Sequence, residues 1–185
     1  YDDAKLFVLD LSTMTVAAEI PVDTGPTDVA VTPAGNAVVV ACEDASTLVV
    51  VDTDTYTTVS VAQASAPTAL AVTPDGNTLF VVSKDAGVLL VYDASNLQTP
   101  ISTLALGLQP CDVATTPDGK YAVCANSGSN SVSIVNLQTL TVSSTVNVGV
   151  NPVAVAISYD SAFAYVACRD SNRVDKVDIE AGSRP

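Results

Sequence analysis

The chain has 185 residues, which is enough for one domain with a sizeable core and too few for two ordinary domains. Hydrophobic residues make up 48% and charged residues 15%, which excludes a disordered segment, and apolar runs such as Ala37 to Cys42 are too short to cross a bilayer. With 20 acidic and 7 basic residues the net charge is −13, which argues against nucleic acid and membrane partners. The chain contains no histidine, so the commonest general base, metal ligand and heme ligand are missing.

An internal repeat organises the chain. Four stretches align without a gap, and their starts are spaced 41, 43 and 42 residues apart, at Pro26, Pro67, Pro110 and Pro152. The N-terminal piece fits the last part of a unit. The repeat therefore divides the chain into the end of a unit at 1–25, full units at 26–66, 67–109 and 110–151, and the start of a further unit at 152–185.

Each unit contains the pattern of four short strands. In the first full unit, a Pro and Gly turn separates a β-branched run from the second apolar run, and this pattern predicts a hairpin. Two further apolar runs, 48–51 and 57–61, predict a third and a fourth strand, and no window has a helical period. The first strand carries a small residue at the same place in every unit, which suits an innermost strand: Ala30, Ala71, Ala114 and Ala156. The sequence therefore predicts an all-β fold, a β-propeller of four-stranded antiparallel blades with a repeat of about 42 residues.

Three strings carry a resemblance to a known family: AVTPDG at 71–76, NSGSNSVSIVN at 126–136 and YVAC at 165–168. The chain resembles the YVTN-type β-propeller repeat over essentially its whole length. That family includes surface-layer and cell-surface proteins, lactonase-like enzymes and propellers of quinoprotein metabolism, and it more often builds about seven blades. The resemblance implies the blade architecture and leaves the activity open.

The chain does not contain a whole number of blades for a closed ring, because 185 residues at this spacing give about 4.4 units. Since the chain begins inside a repeat, we expect a partial propeller, an open arc of a larger ring. Two alternatives stay open. The terminal strands can complete one blade and close a ring of four, or separate chains can complete each other's rings.

Two groups of polar residues are candidate binding sites. Asp28 and Asp112 stand at equivalent positions where the innermost strand begins, and a propeller's central channel would place a cation such as Ca²⁺ or a polar ligand there. The turn between the second and third strands varies from blade to blade and is a candidate rim for binding. Its candidate residues are Asp44, Asp85, Asn130, Asp170, Arg169 and Arg173.

The remaining polar features have ordinary structural interpretations. The residue that closes each third strand is acidic or an amide, and we expect it to accept backbone N–H bonds in the following turn rather than to form a ring of cation ligands. Cys111 and Cys124 lie on one predicted hairpin, where a disulfide is conceivable, although small buried cysteines are the commoner case. The spacing contains no zinc, P-loop, dinucleotide or hydrolase motif.

These observations favour a non-enzymatic propeller scaffold for protein-protein interaction or for an extracellular or cell-surface structure. Its partner would be another protein, or copies of the chain would self-assemble through blade edges or rim loops. No catalytic residues, resident cofactor or structural metal are predicted. Two alternatives follow from the resemblance: a lactonase-like hydrolase, and an accessory propeller of quinoprotein metabolism.

Overall fold

The structure, a computed structural model, describes residues 4–62 and 65–185. Within these ranges the chain forms 17 β-strands, and its one helical segment is a 3₁₀ turn at Arg169–Ser171. The strands are β1 (Lys5–Asp10), β2 (Thr15–Pro21), β3 (Pro26–Val31), β4 (Ala37–Cys42), β5 (Thr47–Asp52), β6 (Thr58–Ala62), β7 (Pro67–Val72), β8 (Thr78–Ser83), β9 (Val88–Asp93), β10 (Ser102–Ala105), β11 (Pro110–Thr115), β12 (Tyr121–Asn126), β13 (Ser131–Asn136), β14 (Thr141–Asn147), β15 (Pro152–Ile157), β16 (Phe163–Cys168) and β17 (Arg173–Asp178).

The strands form five antiparallel sheets, which we call blades 1 to 5 in chain order. Blade 1 contains β1 and β2, and blades 2, 3 and 4 contain β3 to β6, β7 to β10 and β11 to β14. Blade 5 contains β15 to β17. Each strand pairs with the next one along the chain, so every blade is a meander. The predicted all-β fold of four-stranded antiparallel blades is confirmed.

The blades stack face to face because their second and third strands are apolar on both sides. In β8 the residues from Leu79 to Ser83 are all buried, and in β12 the residues from Ala122 to Asn126 are buried. Four hydrophobic clusters fill the junctions between successive blades. In this stack β3 lies against β7, β7 against β11, and β11 against β15, so the first strand of each blade is the innermost one, as predicted.

The first and last blades do not close a ring. Blade 1 supplies the third and fourth strand positions of the repeat, and β2 pairs with β1 rather than with β17. At the other end, the Asp178 N–H donates to the Ser183 carbonyl at 2.8 Å. In blade 2 the same bond, from the Asp52 N–H to the Thr57 carbonyl at 3.0 Å, opens the fourth strand. Ser183 therefore enters the fourth-strand position of blade 5 itself, and the described residues form an open arc.

Within residues 4–62 and 65–185, no helix has the length and the hydropathy needed to span a membrane.

Candidate functional site: the top side and the channel mouth

The functional candidates lie on one side of the arc, which we call the top side. It carries the turns between second and third strands, at 43–46, 84–87, 127–130 and 169–172, and the linkers that enter each blade. Each innermost strand begins at the top side, because the linkers lead directly into β3, β7, β11 and β15. The top side therefore brings together the channel-mouth residues and the rim residues that the sequence singles out.

Asp28 connects two neighbouring blades at the channel mouth. One carboxylate oxygen accepts the N–H of Val29 at 2.8 Å, within its own strand. The other accepts the N–H of Leu70 at 2.7 Å, from the innermost strand of the next blade. The carboxylate is half-buried between β3 and β7, where it holds the two innermost strands together.

Asp112 repeats this arrangement two blades further on. Its carboxylate accepts the N–H of Val113 at 2.9 Å and the N–H of Val155, in the next blade, at 2.7 Å. Burial raises the pKa of the Asp112 carboxyl. The two backbone donors lower this pKa to a smaller extent, and the charge of Asp28 raises it slightly further. Sequence reasoning missed this role because the N–H donor lies 43 residues away from the carboxylate.

The alternation of aspartate and alanine along the arc follows from the number of available N–H groups. Blades 3 and 5 carry Ala69 and Ala154 where blades 2 and 4 carry the aspartates. An aspartate needs a free N–H on the next innermost strand, and that N–H is free only when the next blade has no aspartate of its own. At the junction without such a bond, between blades 3 and 4, the Thr115 hydroxyl donates to the Val72 carbonyl at 3.2 Å. Each of the two carboxylates, Asp28 and Asp112, already accepts two backbone N–H groups. Ligand binding at these residues stays a prediction.

Backbone hydrogen bonds fix the top turns of blades 2, 4 and 5 to the linkers. Ser127 and Gly128 donate to the carbonyls of Gln109 and Leu108, both at 3.0 Å. Blades 2 and 5 have equivalent bonds, including Glu43 N–H to the Gly25 carbonyl at 2.8 Å. The top turns of these three blades are therefore held in place by their linkers, although the side chains of the top turns differ from blade to blade.

The rim residues predicted from the sequence fall into two environments. Asp44 and Asp85 are exposed. Asn130 is half-buried and accepts the N–H of Asn151 at 2.9 Å, so it belongs to the linker support. The exposed Asp170 accepts the Asn151 side-chain amide at 3.0 Å, and this bond, with a second from Arg169, lowers the pKa of the Asp170 carboxyl. Asn130 and Asp170 therefore meet at Asn151, whereas Asp44 and Asp85 lie on the turns of other blades.

A charged cluster in blade 5 was missed by the sequence analysis. Asp175 is 5% exposed and accepts the Gly149 N–H at 2.6 Å. Its carboxylate also binds Arg173 at 3.0 Å and Arg184 at 3.2 Å. Gly149 must lack a side chain here, since a Cβ would stand 2.7 Å from Cβ of Cys168. The sequence does contain a signal for this cluster, because Asp175 occupies a strand position at which other blades carry Val49 or Leu90.

A groove of about 450 Å³ lies on the top side between blades 3 and 4. The turn of blade 3 forms one wall and the linker and turn of blade 4 form the other. Lys84, whose Nζ lies 3.6 Å from Glu43 of blade 2, and Asp85 give the groove a polar edge. Leu108 supplies an exposed apolar side chain, with 68% of its surface accessible. The groove combines an apolar anchor point with charges of both signs.

The acids that close the third strands act locally, as predicted. Asp52 accepts the N–H groups of Asp54 and Thr55 at 3.0 and 2.8 Å, and these bonds with the Thr55 hydroxyl lower the pKa of its carboxyl. The same turn bonding recurs at the equivalent residues, namely Asp10, Asp93, Asn136 and Asp178. Among the described residues, no three histidine, cysteine or acidic side chains come together to hold a metal ion.

All four cysteines are free thiols, so the conceivable Cys111–Cys124 disulfide is not formed. A β-bulge between Pro110 and Asp112 displaces Cys111 from the regular pairing, and its thiol donates to the Pro152 carbonyl of the next blade at 3.2 Å. Cys124 is fully buried, and this burial raises the pKa of its thiol. The other two, Cys42 and Cys168, are also buried.

Radially stacked meander sheets, with the first strands innermost and binding candidates at the channel mouth, define a β-propeller. The family model described as the cytochrome D1 heme domain matches residues 34–150, more than half of the chain. The chain therefore belongs to the cytochrome D1 heme domain family.

Among solved structures, the chain is similar to the hydrazine synthase of Kuenenia stuttgartiensis. The TM-score is 0.80 at 25% identity, and the match covers 91% of this chain and 50% of that chain. This chain thus spans half the length of the solved chain that it matches. The search of curated proteins found no match.

Proposed function

We propose that the chain is a non-enzymatic propeller scaffold that binds a protein segment on its top side. One observation carries the proposal: backbone bonds fix the top turns of blades 2, 4 and 5 to the linkers, while the side chains on the top turns differ in every blade. Conserving the support and varying the contact residues is how binding surfaces on rigid folds obtain specificity. The groove between blades 3 and 4 supplies the place where a segment would lie, with Leu108 as its apolar contact.

The finer parts of the proposal rest on the resemblance. The segment Tyr165 to Cys168 supports a YVTN-type repeat like those of surface-layer proteins, and we place the scaffold outside the cell or on its surface. The acidic surface, with a net charge of −13, is compatible with a soluble module that binds proteins rather than nucleic acid or lipid.

The name of the matched family raises the question of heme, and the described residues do not fit that group. Iron in heme is held by histidine, cysteine, methionine or tyrosine side chains. The chain has no histidine, and its one methionine, Met14, is 81% exposed on an outer turn. On the innermost strands the one residue of these types is Cys111, whose thiol donates to the Pro152 carbonyl. The family relationship therefore supports the fold of this chain and not a heme site in it.

A hydrolase is less well supported than a scaffold. A lactonase-like reaction needs a polarising group and a general base at the channel mouth. The repeat-matched carboxylates there, Asp28 and Asp112, each hold two backbone donors and serve to join blades. An assay of lactone hydrolysis with added divalent metals tests this alternative, and turnover that is lost in Asp112→Ala would replace the scaffold proposal.

Selection from a random peptide library on the immobilised chain tests the binding proposal. We expect enriched peptides whose affinity falls at least about tenfold in Leu108→Asp, since a buried leucine contributes roughly 1.5 to 3 kcal/mol. Lys84→Glu should change which charged peptides are selected. Lys120→Glu, on the opposite side of the arc, is the matched control and should leave binding unchanged. Absence of enriched peptides, or equal binding by the Leu108 variant, contradicts the proposal.

A further inference from the structure

A network of hydrogen-bonded polar side chains lies beneath the groove between blades 3 and 4. The N–H of Leu108, whose side chain is the apolar contact of the groove, donates to the Ser129 hydroxyl at 3.1 Å. The Ser129 hydroxyl lies 2.9 Å from the Ser131 hydroxyl, and the side-chain amide of Asn126 donates to the Ser131 hydroxyl at 3.2 Å. The network therefore connects the backbone of Leu108 to the side chain of Asn126.

Asn126 forms the inner end of this network and is completely buried. Its amide also donates at 3.0 Å to the hydroxyl of Ser133, which lies further along β13 and away from the top side. The side-chain oxygen of Asn126 accepts no hydrogen bond from the described residues, and a buried polar atom without a partner lowers stability. The equivalent residues of blades 2 and 5 are the smaller Cys42 and Cys168, so the blade architecture does not require an asparagine here.

The linker that carries Leu108 rests directly on the network. A Cβ on Gly107 would clash with the Ser129 hydroxyl and stand 2.8 Å from Cγ of Asn126, so the linker backbone packs against both side chains. Gln109 has a φ of 49°, a left-handed conformation that is strained for a residue with a side chain. Leu108 thus lies between a closely packed residue and a strained one, and the bond from its N–H to Ser129 fixes the linker at that point.

Blade 5 supports its linker in a different way. The N–H of Val150, at the position of Leu108, donates to the Ser171 hydroxyl at 2.6 Å. Next to that bond blade 5 carries an ion pair, Arg173 with Asp175 at 3.0 Å, in place of two serines. The neutral network that ends at an asparagine therefore belongs to blade 4, which forms one wall of the groove, and not to blade 5.

We infer that Asn126 is a positioning residue of the groove, which acts through Ser131 and Ser129 to hold Leu108 in the orientation that a bound protein segment contacts. The inference rests on the proposed scaffold function and deepens it. Hydrogen bonds in a buried network reinforce one another, so the inner end of the network affects the outer end. A contact residue that is already held in place loses less conformational freedom on binding. Asn126 therefore raises affinity without touching the bound segment.

Two serine variants that remove different partners of the Asn126 amide test the inference. Ser131→Ala cuts the connection to Ser129, whereas Ser133→Ala leaves it intact and is the matched control, since both serines are at most 2% exposed. Loss of one hydrogen bond changes an equilibrium by about 3- to 10-fold. By this factor Ser131→Ala should accelerate hydrogen exchange of the Leu108 amide and weaken binding of the peptides selected on the wild-type chain. Ser133→Ala should leave both quantities unchanged.

Asn126→Cys cuts the network at its inner end. This variant introduces the residue that blades 2 and 5 bury at the same position, so we expect it to fold, which circular dichroism checks. Because Asn126→Cys also removes the unpartnered oxygen, its urea midpoint should stay close to that of the wild type. The Leu108 amide should nevertheless exchange faster, and peptide binding should weaken, as in Ser131→Ala. A residue with a purely structural role would change the urea midpoint without this separate effect on Leu108.

Equal Leu108 exchange rates in the wild type and Ser131→Ala, or equal acceleration in Ser131→Ala and Ser133→Ala, would overturn the inference. Selected peptides that bind the wild type and Ser131→Ala equally well would also overturn it, and they would leave the proposed function standing. A library that yields no binding peptide would contradict the proposed function. The Leu108 exchange rates would then still decide whether Asn126 holds the linker in place.

Discussion

Removing the carboxylate of Asp28 tests the interblade bond at the channel mouth. In Asp28→Ala the N–H groups of Val29 and Leu70 both lose their acceptor, and Leu70 is only 7% exposed. A hydrogen bond to a charged group contributes about 1.5 to 3 kcal/mol. Because the channel mouth lets water reach part of the site, we expect a loss of about 2 kcal/mol in the free energy of unfolding. Urea unfolding should report this loss.

Amide hydrogen exchange gives the local readout of the same change. In Asp28→Ala the Leu70 amide should exchange about 30-fold faster, which corresponds to about 2 kcal/mol, while the Val155 amide keeps its rate. Asp112→Ala should give the reverse pattern, because its carboxylate accepts the Val155 N–H. Asp44→Ala, on an exposed top turn, is the control. If both amides respond equally to both variants, or neither responds, the carboxylates do not join the blades as described.

Three further predictions concern the turns, the blade junctions and the pH dependence. Met14 has a φ of 55°, and the equivalent residue of blade 5 is Gly182. Met14→Gly should therefore raise the free energy of unfolding by about 1 kcal/mol, as measured by urea unfolding. Met14→Ala should leave the free energy of unfolding nearly unchanged. Phe80→Ala should lower the free energy of unfolding by about 3 to 5 kcal/mol. Tyr165→Ala, at the equivalent but exposed position of blade 5, should lower it by less than about 1 kcal/mol. Equal losses in the two variants would show that the arc is closed. The turn aspartates have pKa values lowered from 3.8 by hydrogen bonds, so their stabilisation is present above that pH and is lost as the pH falls below it. Burial raises the pKa of Asp112, which opposes this trend, so Asp112→Ala should lose stability more steeply than the wild type between pH 5 and pH 3, and a shallower loss would contradict the assignment.

The strands and their order could be predicted because the repeat exposes them four times over. The second-strand run Ala37 to Cys42 is β4 without any shift of its bounds, and Ala30 lies on an innermost strand. The turn bonding of Asp52 was also predictable, because an aspartate after a strand accepts N–H groups from the next few residues. These features depend on local sequence or on a pattern that the chain repeats.

The roles of Asp28, Asp112 and Asp175 were not predictable in the same way. Each carboxylate binds a backbone N–H that is distant in sequence, so its partner emerges only when the blades are stacked. The Cys111 thiol likewise finds its acceptor on the next blade, and a β-bulge removes it from the regular pairing on which the disulfide hypothesis depended. Single-chain patterns locate the strands, whereas these contacts depend on how the sheets pack.

The open arc formed by residues 4–62 and 65–185 is the central claim, and solution X-ray scattering of the 185-residue chain tests it most directly. The curve is measured at a dilution at which the scattering mass equals the 18.8 kDa of one chain. Its distance distribution should match an open arc in which β2 pairs with β1 and Ser183 lies beside β17. A distribution that fits a closed four-bladed ring, with β2 paired to β17, would contradict the account.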